Sequence, residues 1–428
     1  MKVAILTVFD GLSCTYSLGS VVAEHLRMFL DANISVKLIV REDCLDTYRC
    51  GVFLDERIEW AKLATNGDNQ IELYNYSSLT GQIHETFFQE VDIISESLRN
   101  NLLDVNVCMI YDILFQERYL VLNVALRKAQ ESLPNIRFIA YTHTEPVIRP
   151  SKIEWPFSAK YTPMPNTIYV TPMNSGIVAL AKQYDIPERK CRVINNSLNI
   201  LAHMSEDVRV ISNKTDLLSS DILMIYPARL TPGKKFEKVV AFASAIKNRT
   251  EKSVKIVFCD FPSADINPDL FKALLQRLGC ALNLNDNEIL FTSDLGYENG
   301  FPRRGVLDLF TLSNLFVCPS FSESFGLIAL EAASRGNFLL LNEKVPALEE
   351  LGKQLCTYFM PWDARNFGFD TKETYYPSEQ AYLEEHALKV VNLMKENSVV
   401  YAKTIVRQNY SPKWVWENQL APLLLGNR

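Results

Sequence analysis

Two carboxylates, Glu323 and Glu331, stand eight residues apart in the stretch PSFSESFGLIALEAASRG. The apolar run 315–318 before them predicts a buried strand of a parallel sheet. Residues 325–334, rich in Ala, Leu and Glu, predict a helix after a short loop. A carboxylate does not help a phosphate to bind, so these two side chains are expected to accept hydrogen bonds from sugar or ribose hydroxyls.

The beginning of that helix predicts an anion site. The N–H groups of Phe325, Gly326 and Leu327 have no partner within the helix, and Gly326 lets a ligand approach the backbone closely. Helix N-termini of this kind attract anions, diphosphates above all. The stretch therefore predicts a ligand that carries both phosphates and hydroxyl groups.

A second strand–loop–helix pattern supplies positive charge. The apolar strand 222–226 leads into PARLTPGKKF, which contains Arg229 and Lys234. Arg offers a rigid fork of donors and Lys a point charge, and both suit diphosphate oxygens. Such residues in a surface loop are most often solvated, but their position between a strand and a helix favours phosphate binding.

These motifs resemble a known family. The Glu323–Glu331 pair stands in the E-x7-E arrangement of retaining GT-B glycosyltransferases, and the surrounding stretch is similar to the family 4 (group 1) pattern P-S-x-x-E-x-F-G-L-x-x-L-E-A-x-x-x-G. The Arg229 loop resembles the family's G-R-L-x-x-x-K-G, with Lys235 in place of the usual glycine. Residues 190–199 partly resemble K-x-x-V-I-P-N-G-V-D.

The resemblance implies the α/β GT-B fold, in which two Rossmann-like domains with parallel sheets face each other across a cleft. We expect an N-terminal acceptor domain at 1–205, a linker at 206–221 and a nucleotide-sugar-binding domain at 222–408. Residues 409–428 are expected to form a helix that crosses back to the first domain.

The resemblance also implies roles for four catalytic residues. Arg229 and Lys234 would neutralise the departing diphosphate in place of a metal ion, and Glu323 would hold the hydroxyls of the donor sugar. His143 follows the predicted strand 138–141 and would contact the sugar from the opposite domain. From its position alone, a hydrogen-bonded structural histidine is the alternative.

Six residues are expected to bind the rest of the donor. Glu331 would hold the ribose hydroxyls, Ser293 lies in the loop expected to meet the base, and Gly19 is the one plausible match to the family's Gly-Gly loop. That loop follows the predicted strand 2–8 and includes Asp10 to Cys14. The donor-binding set is Gly19, Ser293, Phe325, Gly326, Leu327 and Glu331.

Composition restricts the partners and the cellular compartment that we expect for this protein. The 428 residues carry a net charge of −6, which gives no sequence-wide attraction to nucleic acid or to anionic membrane. Nine scattered cysteines without a C-x-x-C pair indicate a reducing compartment, and neither a signal peptide nor a membrane-spanning run is evident. A cytoplasmic protein without a cofactor is expected, because no D-x-D or other metal-binding motif is present.

The sequence thus predicts a retaining glycosyltransferase that moves a sugar from a nucleotide diphosphate sugar, with UDP favoured, to a saccharide or lipid-linked acceptor. A hydroxylated DNA base is an alternative acceptor, since viral DNA-modifying transferases share the GT-B fold. The charged residues Lys152, Lys160, Arg303 and Arg304 could then form a basic rim. A phosphorylase or sugar-nucleotide hydrolase, and a non-catalytic sugar-nucleotide-binding protein, are further alternatives.

Overall fold

A computed structural model describes residues 1–9, 17–45, 49–64, 76–264, 266–362 and 377–426. The chain divides into two compact units, one built from residues 1–197 together with the C-terminal segment from 412, the other from residues 198–411. Each unit is an α/β structure of the Rossmann-like type, which confirms the predicted fold class.

The first unit contains, among its described residues, a parallel sheet of seven strands in the order β3-β2-β1-β4-β5-β6-β7. Its elements are β1 (Lys2–Leu6), α1 (Ser17–Asp31), β2 (Ser35–Arg41), β3 (Ile58–Leu63), α2 (Phe87–Leu102), β4 (Val107–Tyr111), α3 (Leu120–Glu131), β5 (Arg137–Tyr141), β6 (Thr167–Thr171), α4 (Ile177–Tyr184) and β7 (Cys191–Val193).

Alternate residues of each strand in the first unit point to opposite faces of the sheet. In β1, Val3 and Ile5 belong to one buried apolar cluster, whereas Ala4 and Leu6 belong to another. Because helices cover both faces, the inner strands β4 and β5 are buried almost throughout, whereas the edge strand β3 exposes Glu59 and Lys62.

The second unit contains, within the described ranges, a parallel sheet of six strands in the order β10-β9-β8-β11-β12-β13. Its elements are α5 (Glu206–Lys214), β8 (Ile222–Arg229), α6 (Phe236–Thr250), β9 (Val254–Phe261), α7 (Pro268–Ala281), β10 (Ile289–Phe291), α8 (Arg303–Leu312), β11 (Leu315–Cys318), α9 (Leu327–Ser334), β12 (Phe338–Asn342), α10 (Pro346–Gln354), β13 (Tyr358–Met360), α11 (Pro377–Glu396) and α12 (Ser398–Asn409).

The strand order of the second unit places a topological switch point between β8 and β11. From β8 the chain proceeds outward to β9 and β10, and from β11 it proceeds in the other direction to β12 and β13. Connections on the two sides of such a point diverge, which leaves a crevice at the carboxyl ends of the two central strands. The Arg229 loop and the Glu323 loop both begin there.

Two expectations about segment boundaries differ from the structure. The segment 206–221, expected to be a linker, begins with the helix α5, whose Val208 and Ile211 are buried in the core of the second unit. The sequence did not indicate this short helix, because most of its residues are polar and only a few form its apolar face. Gly19, which was expected to lie in a loop, is instead in the first turn of α1, and the predicted loop residues Asp10 to Cys14 lie outside the described residues.

The C-terminal segment belongs to the first unit. It forms α13 (Pro412–Val415), a π-helical turn over Trp416–Leu420 and α14 (Ala421–Leu425). Val415, Leu420 and Leu424 are buried in the same cluster as Val3 and Ile5. The pairing of Gln419 with Asn195 at 2.5 Å anchors the segment further.

The described part of the chain contains no helix that is both long and apolar enough to cross a membrane. Among the described residues, the cysteines at positions 108, 191, 259, 280, 318 and 356 are free thiols.

Candidate functional site

The loop after β8 presents two basic side chains. β8 continues past the predicted end at Tyr226 to Arg229, which is exposed and makes no ion pair with the described part of the chain. A short 3-10 helix, Pro232–Lys234, follows. Lys235 then adopts a left-handed conformation, with φ of 55°, before α6 begins. This conformation favours glycine, which accounts physically for the family's usual residue at this position.

The loop after β11 ends at Gly326, and α9 begins at Leu327, two residues later than the predicted start of the helix. Gly326 is the N-cap of α9 and has φ of 89°, and a Cβ there would lie 3.1 Å from a methyl group of Leu348. Glycine is therefore required both by the backbone conformation and by the close packing. The N–H groups of Phe325, Gly326 and Leu327 donate no hydrogen bond to any other described residue.

These two loops are joined by an ion pair. Lys234 Nζ lies 2.5 Å from Oε1 of Glu323, and both side chains are partly buried. The pair uses one carboxylate oxygen, and Oε2 of Glu323 makes no hydrogen bond within the described ranges. The backbone supports the pair, since the N–H of Phe321 donates to the carbonyl of Gly233 at 2.8 Å.

A buried tyrosine of β8 contacts both of these loops. The hydroxyl of Tyr226 donates to the carbonyl of Lys234 at 2.6 Å and lies 3.3 Å from the hydroxyl of Ser320. Burial raises the pKa of Tyr226 well above its usual value, so the hydroxyl stays protonated and remains a donor. On the other side, the amide of Asn342 donates to the carbonyl of Ser320 at 3.2 Å.

Four predicted site residues line one small cavity of about 60 Å³ at the switch point. They are Lys234, Glu323, Gly326 and Leu327. The walls beneath them come from β8 and β11, including Tyr226 and Cys318. The structure thus brings together a cation, a carboxylate and the beginning of a helix, an arrangement that can bind phosphate and hydroxyl groups side by side.

Glu331 lies on the same helix, and its carboxylate has a partner that the sequence did not indicate. The side chain is 8% exposed, and its Oε1 forms an ion pair with Arg303 at the beginning of α8. Oε2 of Glu331 makes no hydrogen bond with the described residues. Glu331 therefore retains one oxygen that can accept a hydrogen bond from a ligand.

Ser293 is tied to a buried carboxylate instead of pointing freely from its loop. Its hydroxyl donates to Asp260 Oδ2 at 2.7 Å and its N–H donates to Oδ1 at 3.1 Å. Asp260, near the end of β9, is fully buried. Lys272 lies 3.1 Å from the same hydroxyl and pairs with Asp294. These bonds position the backbone of the Ser293 turn.

In the first unit, the loop containing His143 is held by Asp112. This carboxylate follows β4, is 4% exposed, and accepts the N–H groups of His143 at 2.7 Å and Thr144 at 3.1 Å through one oxygen. Asp112 itself has φ of 59°, which aspartate tolerates better than most residues. The ring of His143 is partly exposed, and its Nε2 lies 3.4 Å from the amide of Asn196.

Beneath this loop lies a buried aromatic cluster around His25 of α1. Its Nδ1 lies 2.6 Å from the hydroxyl of Tyr111, and its ring packs edge-on against Tyr141. Burial lowers the pKa of His25 to about 4. Gly19 is buried one and a half turns earlier on the same helix and takes part in helix packing.

The sequence around several of these supporting residues does not indicate their role in the site. In sequence they are ordinary residues of apolar strands or turns, and their roles depend on partners far along the chain; they are Tyr226, Ser320 and Asn342. Asp112 has the clearest signal, because this carboxylate directly follows the apolar run 107–111. Within the described residues, no group of three or more His, Cys, Asp or Glu side chains is arranged to hold a metal ion.

Two Rossmann-like units are the architecture of the GT-B class. In this chain, the loop with Arg229 and Lys234 and the loop with Glu323 lie side by side at the switch point of the second unit. A family model described as "Glycosyl transferases group 1" matches residues 207–354. The matched range includes Arg229, Lys234, Glu323 and Glu331. This part of the chain is therefore similar in sequence to the group 1 glycosyltransferases.

One curated relative is the D-inositol 3-phosphate glycosyltransferase of Streptomyces scabiei (strain 87.22), which is 28% identical over 167 residues. The match covers 38% of this chain and about a third, 35%, of the relative's length.

Among solved structures, the sucrose-phosphate synthase of Thermosynechococcus elongatus is 13% identical, with a TM-score of 0.38 and 99% of both chains covered. Anabaena HepE, solved with UDP and glucose, is 12% identical, with a TM-score of 0.34 and full coverage of both chains. The similarity to group 1 glycosyltransferases rests on the sequence match over residues 207–354 and not on these low scores.

Proposed function

We propose that this protein is a retaining glycosyltransferase that moves a sugar from a nucleotide diphosphate sugar, with UDP as the favoured nucleotide, to the hydroxyl group of a saccharide or lipid-linked saccharide. One observation carries the proposal: within the family-matched region, Lys234, Glu323 and the beginning of α9 line the same cavity at the switch point.

In this proposal the diphosphate is bound by Arg229, Lys234 and the N–H groups at Phe325, Gly326 and Leu327. Negative charge on the diphosphate increases as the bond to the sugar breaks, so fixed positive charges stabilise the transition state more than the ground state. The exposed guanidinium of Arg229 makes no ion pair with the described chain, which supports this role.

The hydroxyl-binding roles fall to the two carboxylates. Glu323 already holds Lys234 through Oε1, and its second oxygen is proposed to accept a hydroxyl of the donor sugar. Glu331 is proposed to accept a ribose hydroxyl through the oxygen that Arg303 does not use. His143 is proposed to contact the donor sugar, and Ser293 and Gly19 to lie near the nucleotide.

The retaining step follows the mechanism that the resemblance implies. The bond between the anomeric carbon and the diphosphate oxygen breaks, and the acceptor oxygen forms a new bond on the same face. The acceptor's proton passes to the departing phosphate oxygen. The step needs no covalent bond to the protein, and Arg229 with Lys234 supplies the charge stabilisation for which a metal ion is otherwise used.

No contact among the described residues favours the DNA alternative. Of the four basic residues expected to form a rim, three pair with carboxylates: Lys160 with Glu117 at 3.7 Å, Arg303 with Glu331, and Arg304 with Asp308 at 3.2 Å. Their charge is therefore partly neutralised, whereas a DNA site requires basic groups that are available to phosphates.

The proposal is tested in two stages. A panel of nucleotide sugars, beginning with UDP-sugars, is screened by thermal shift, and a stabilising donor is then supplied in labelled form. The acceptors are a saccharide mixture, D-inositol 3-phosphate (chosen because the Streptomyces relative is named for it) and hydroxymethylated duplex DNA at low and moderate salt. We expect label in a saccharide-type acceptor.

Each other result selects a different function. Label that enters only DNA, in a salt-sensitive reaction, would replace the saccharide proposal with DNA modification. Sugar released as its phosphate, in a reaction that requires inorganic phosphate, would indicate a phosphorylase. Donor binding without product from any acceptor would favour a sugar-nucleotide-binding protein.

A further inference from the structure

The second unit contains an apolar pocket that the proposed reaction does not use. Its volume is about 530 Å³, within the range of small-molecule sites. Its walls include Ile200, Leu312, Val399 and Val406, and two basic residues of α12, Lys403 and Arg407, also line it.

The pocket lies at the amino-terminal edge of the second sheet. Lys403 Nζ donates to the carbonyl of Phe310 in the last turn of α8, at 3.2 Å, and to the carbonyl of Arg335 directly after α9, at 2.6 Å. Gly326 stands at the other end of α9. The pocket is therefore separated from the candidate donor site by the length of that helix.

The two basic residues have no carboxylate partner among the described residues. Lys403 donates only to carbonyls, and Arg407 donates to the carbonyls of Leu217, Leu218 and Asp221 and to Ser220. Arg407 is 2% exposed, and its Nε has no hydrogen-bond partner within the described ranges. The nearby carboxylate of Asp221 is occupied by Lys252 and Ser253.

The buried guanidinium of Arg407 and the partly buried ammonium of Lys403 are unfavourable without a counter-ion, because burial in a medium of low polarity penalises the charged forms. The pKa of Lys403 falls to about 7 and that of Arg407 to about 10, chiefly through burial. A bound anion would relieve this cost, and the apolar walls require that the anion carry an apolar body.

We propose that this pocket binds an anionic amphiphile of the fatty-acid class, with its carboxylate paired to Lys403 and Arg407 and its alkyl chain packed along the walls from α8 and α12. The apolar lining alone would accept any apolar molecule. The unpaired cations select for a carboxylate, which distinguishes a fatty acid from the corresponding alcohol.

The test uses the full chain and measures binding directly by calorimetry, without a nucleotide sugar, so that its outcome is independent of the proposed transferase activity. The probes are decanoate, octanoate and decanol below their micellar concentrations. We expect saturable binding of one decanoate per chain, weaker binding of octanoate by about threefold for each missing methylene, and weak binding of decanol.

Variants assign that binding to the pocket. Lys403→Met removes the charge and keeps the length of the side chain, and we expect decanoate affinity to fall by about tenfold or more while decanol binding persists. Ala402→Trp, at an exposed position of the lining, should block both ligands. Lys395→Met, at an exposed lysine on α11, is the matched control and should leave binding unchanged.

Three outcomes would overturn the proposal. They are the absence of saturable decanoate binding, equal affinities for decanoate and decanol, and full decanoate affinity in both Lys403→Met and Ala402→Trp. Dimerisation of the chain that Ala402→Trp abolishes would instead assign the pocket to a second copy of the protein. Circular dichroism spectra of the variants verify that each result comes from folded protein.

Discussion

Lys234 Nζ and the Glu323 carboxylate lie 2.5 Å apart and connect the two loops that leave the central strands β8 and β11. In the proposed reaction Lys234 binds the diphosphate, and the carboxylate of Glu323 accepts a hydrogen bond from the sugar. The pair therefore couples the two halves of the donor, and substituting either residue changes the environment of both.

Replacing Lys234 should impair the chemical step more than donor binding. In Lys234→Ala we expect kcat/KM to fall by about 100-fold or more, because the contact strengthens as charge builds on the departing diphosphate. Steady-state kinetics with the identified donor measures the loss. Lys252→Ala removes another ion-paired lysine, at the opposite edge of the sheet, and should leave kcat/KM within about twofold. A pure KM effect in Lys234→Ala would contradict the assigned role.

Replacing Glu323 should have opposite effects on diphosphate binding and on turnover. Glu323→Gln keeps the shape of the side chain and removes its charge, so Lys234 is no longer held by an anion. We expect the nucleoside diphosphate product to bind more tightly, by roughly threefold to tenfold, while kcat falls. Calorimetry with the diphosphate, beside turnover measurements, gives both values. Weaker diphosphate binding in this variant would show that Glu323 does not restrain Lys234.

Replacing Glu331 should weaken binding of the nucleotide without slowing the reaction at saturation. Contacts with ribose change little between the ground and transition states, so Glu331→Ala should raise the donor KM by about tenfold and leave kcat nearly unchanged. Arg303→Ala removes only the partner, whose side chain is 69% exposed, and should have a smaller effect. Parallel measurement of KM and kcat in both variants tests this division, which a large fall in kcat would refute.

Transfer should not require a divalent metal ion, because Arg229 and Lys234 are proposed to neutralise the diphosphate. We expect at least half of the activity to persist in excess EDTA. The measurement compares initial rates before and after chelation, and again after Mg²⁺ or Mn²⁺ is restored. Activity that disappears on chelation and returns with either ion would refute the roles assigned to the two basic residues.

Acid should destabilise the first unit through His25. Its pKa is about 4 in the folded protein, because burial disfavours the charged ring, and 6.5 is the ordinary value. Between these values the unfolded chain binds more protons, so the stability present above pH 6.5 is lost as pH falls towards 4, by about 2 to 3 kcal/mol.

The measurement is the dependence of the unfolding midpoint on pH. His25→Phe should flatten this dependence between pH 4 and 6.5 relative to the wild type. Removing the exposed His84 by His84→Phe is the control and should retain the wild-type slope. An unchanged slope in His25→Phe would show that other groups cause the acid sensitivity.

The sequence by itself determined the architecture of the second unit and the loops of its candidate site. Apolar runs followed by Gly- and Pro-containing loops and helices indicate parallel βα units, and the motif residues Arg229, Lys234, Glu323 and Gly326 lie at the ends of such runs. These are local features, since each depends on the periodicity and conformational preferences of a short segment. The φ of 89° at Gly326 shows why glycine stands at that position.

Only the tertiary structure decided which side chains meet. Lys234 and Glu323 are 89 residues apart, Glu331 pairs with Arg303, and Asp112 accepts the N–H groups of His143 and Thr144. The helix α5 within the expected linker became evident only through the burial of its apolar face. A sequence pattern specifies the element in which a residue lies, but the partner of a charge or a buried hydroxyl depends on the order of strands in the sheet and on packing between distant segments.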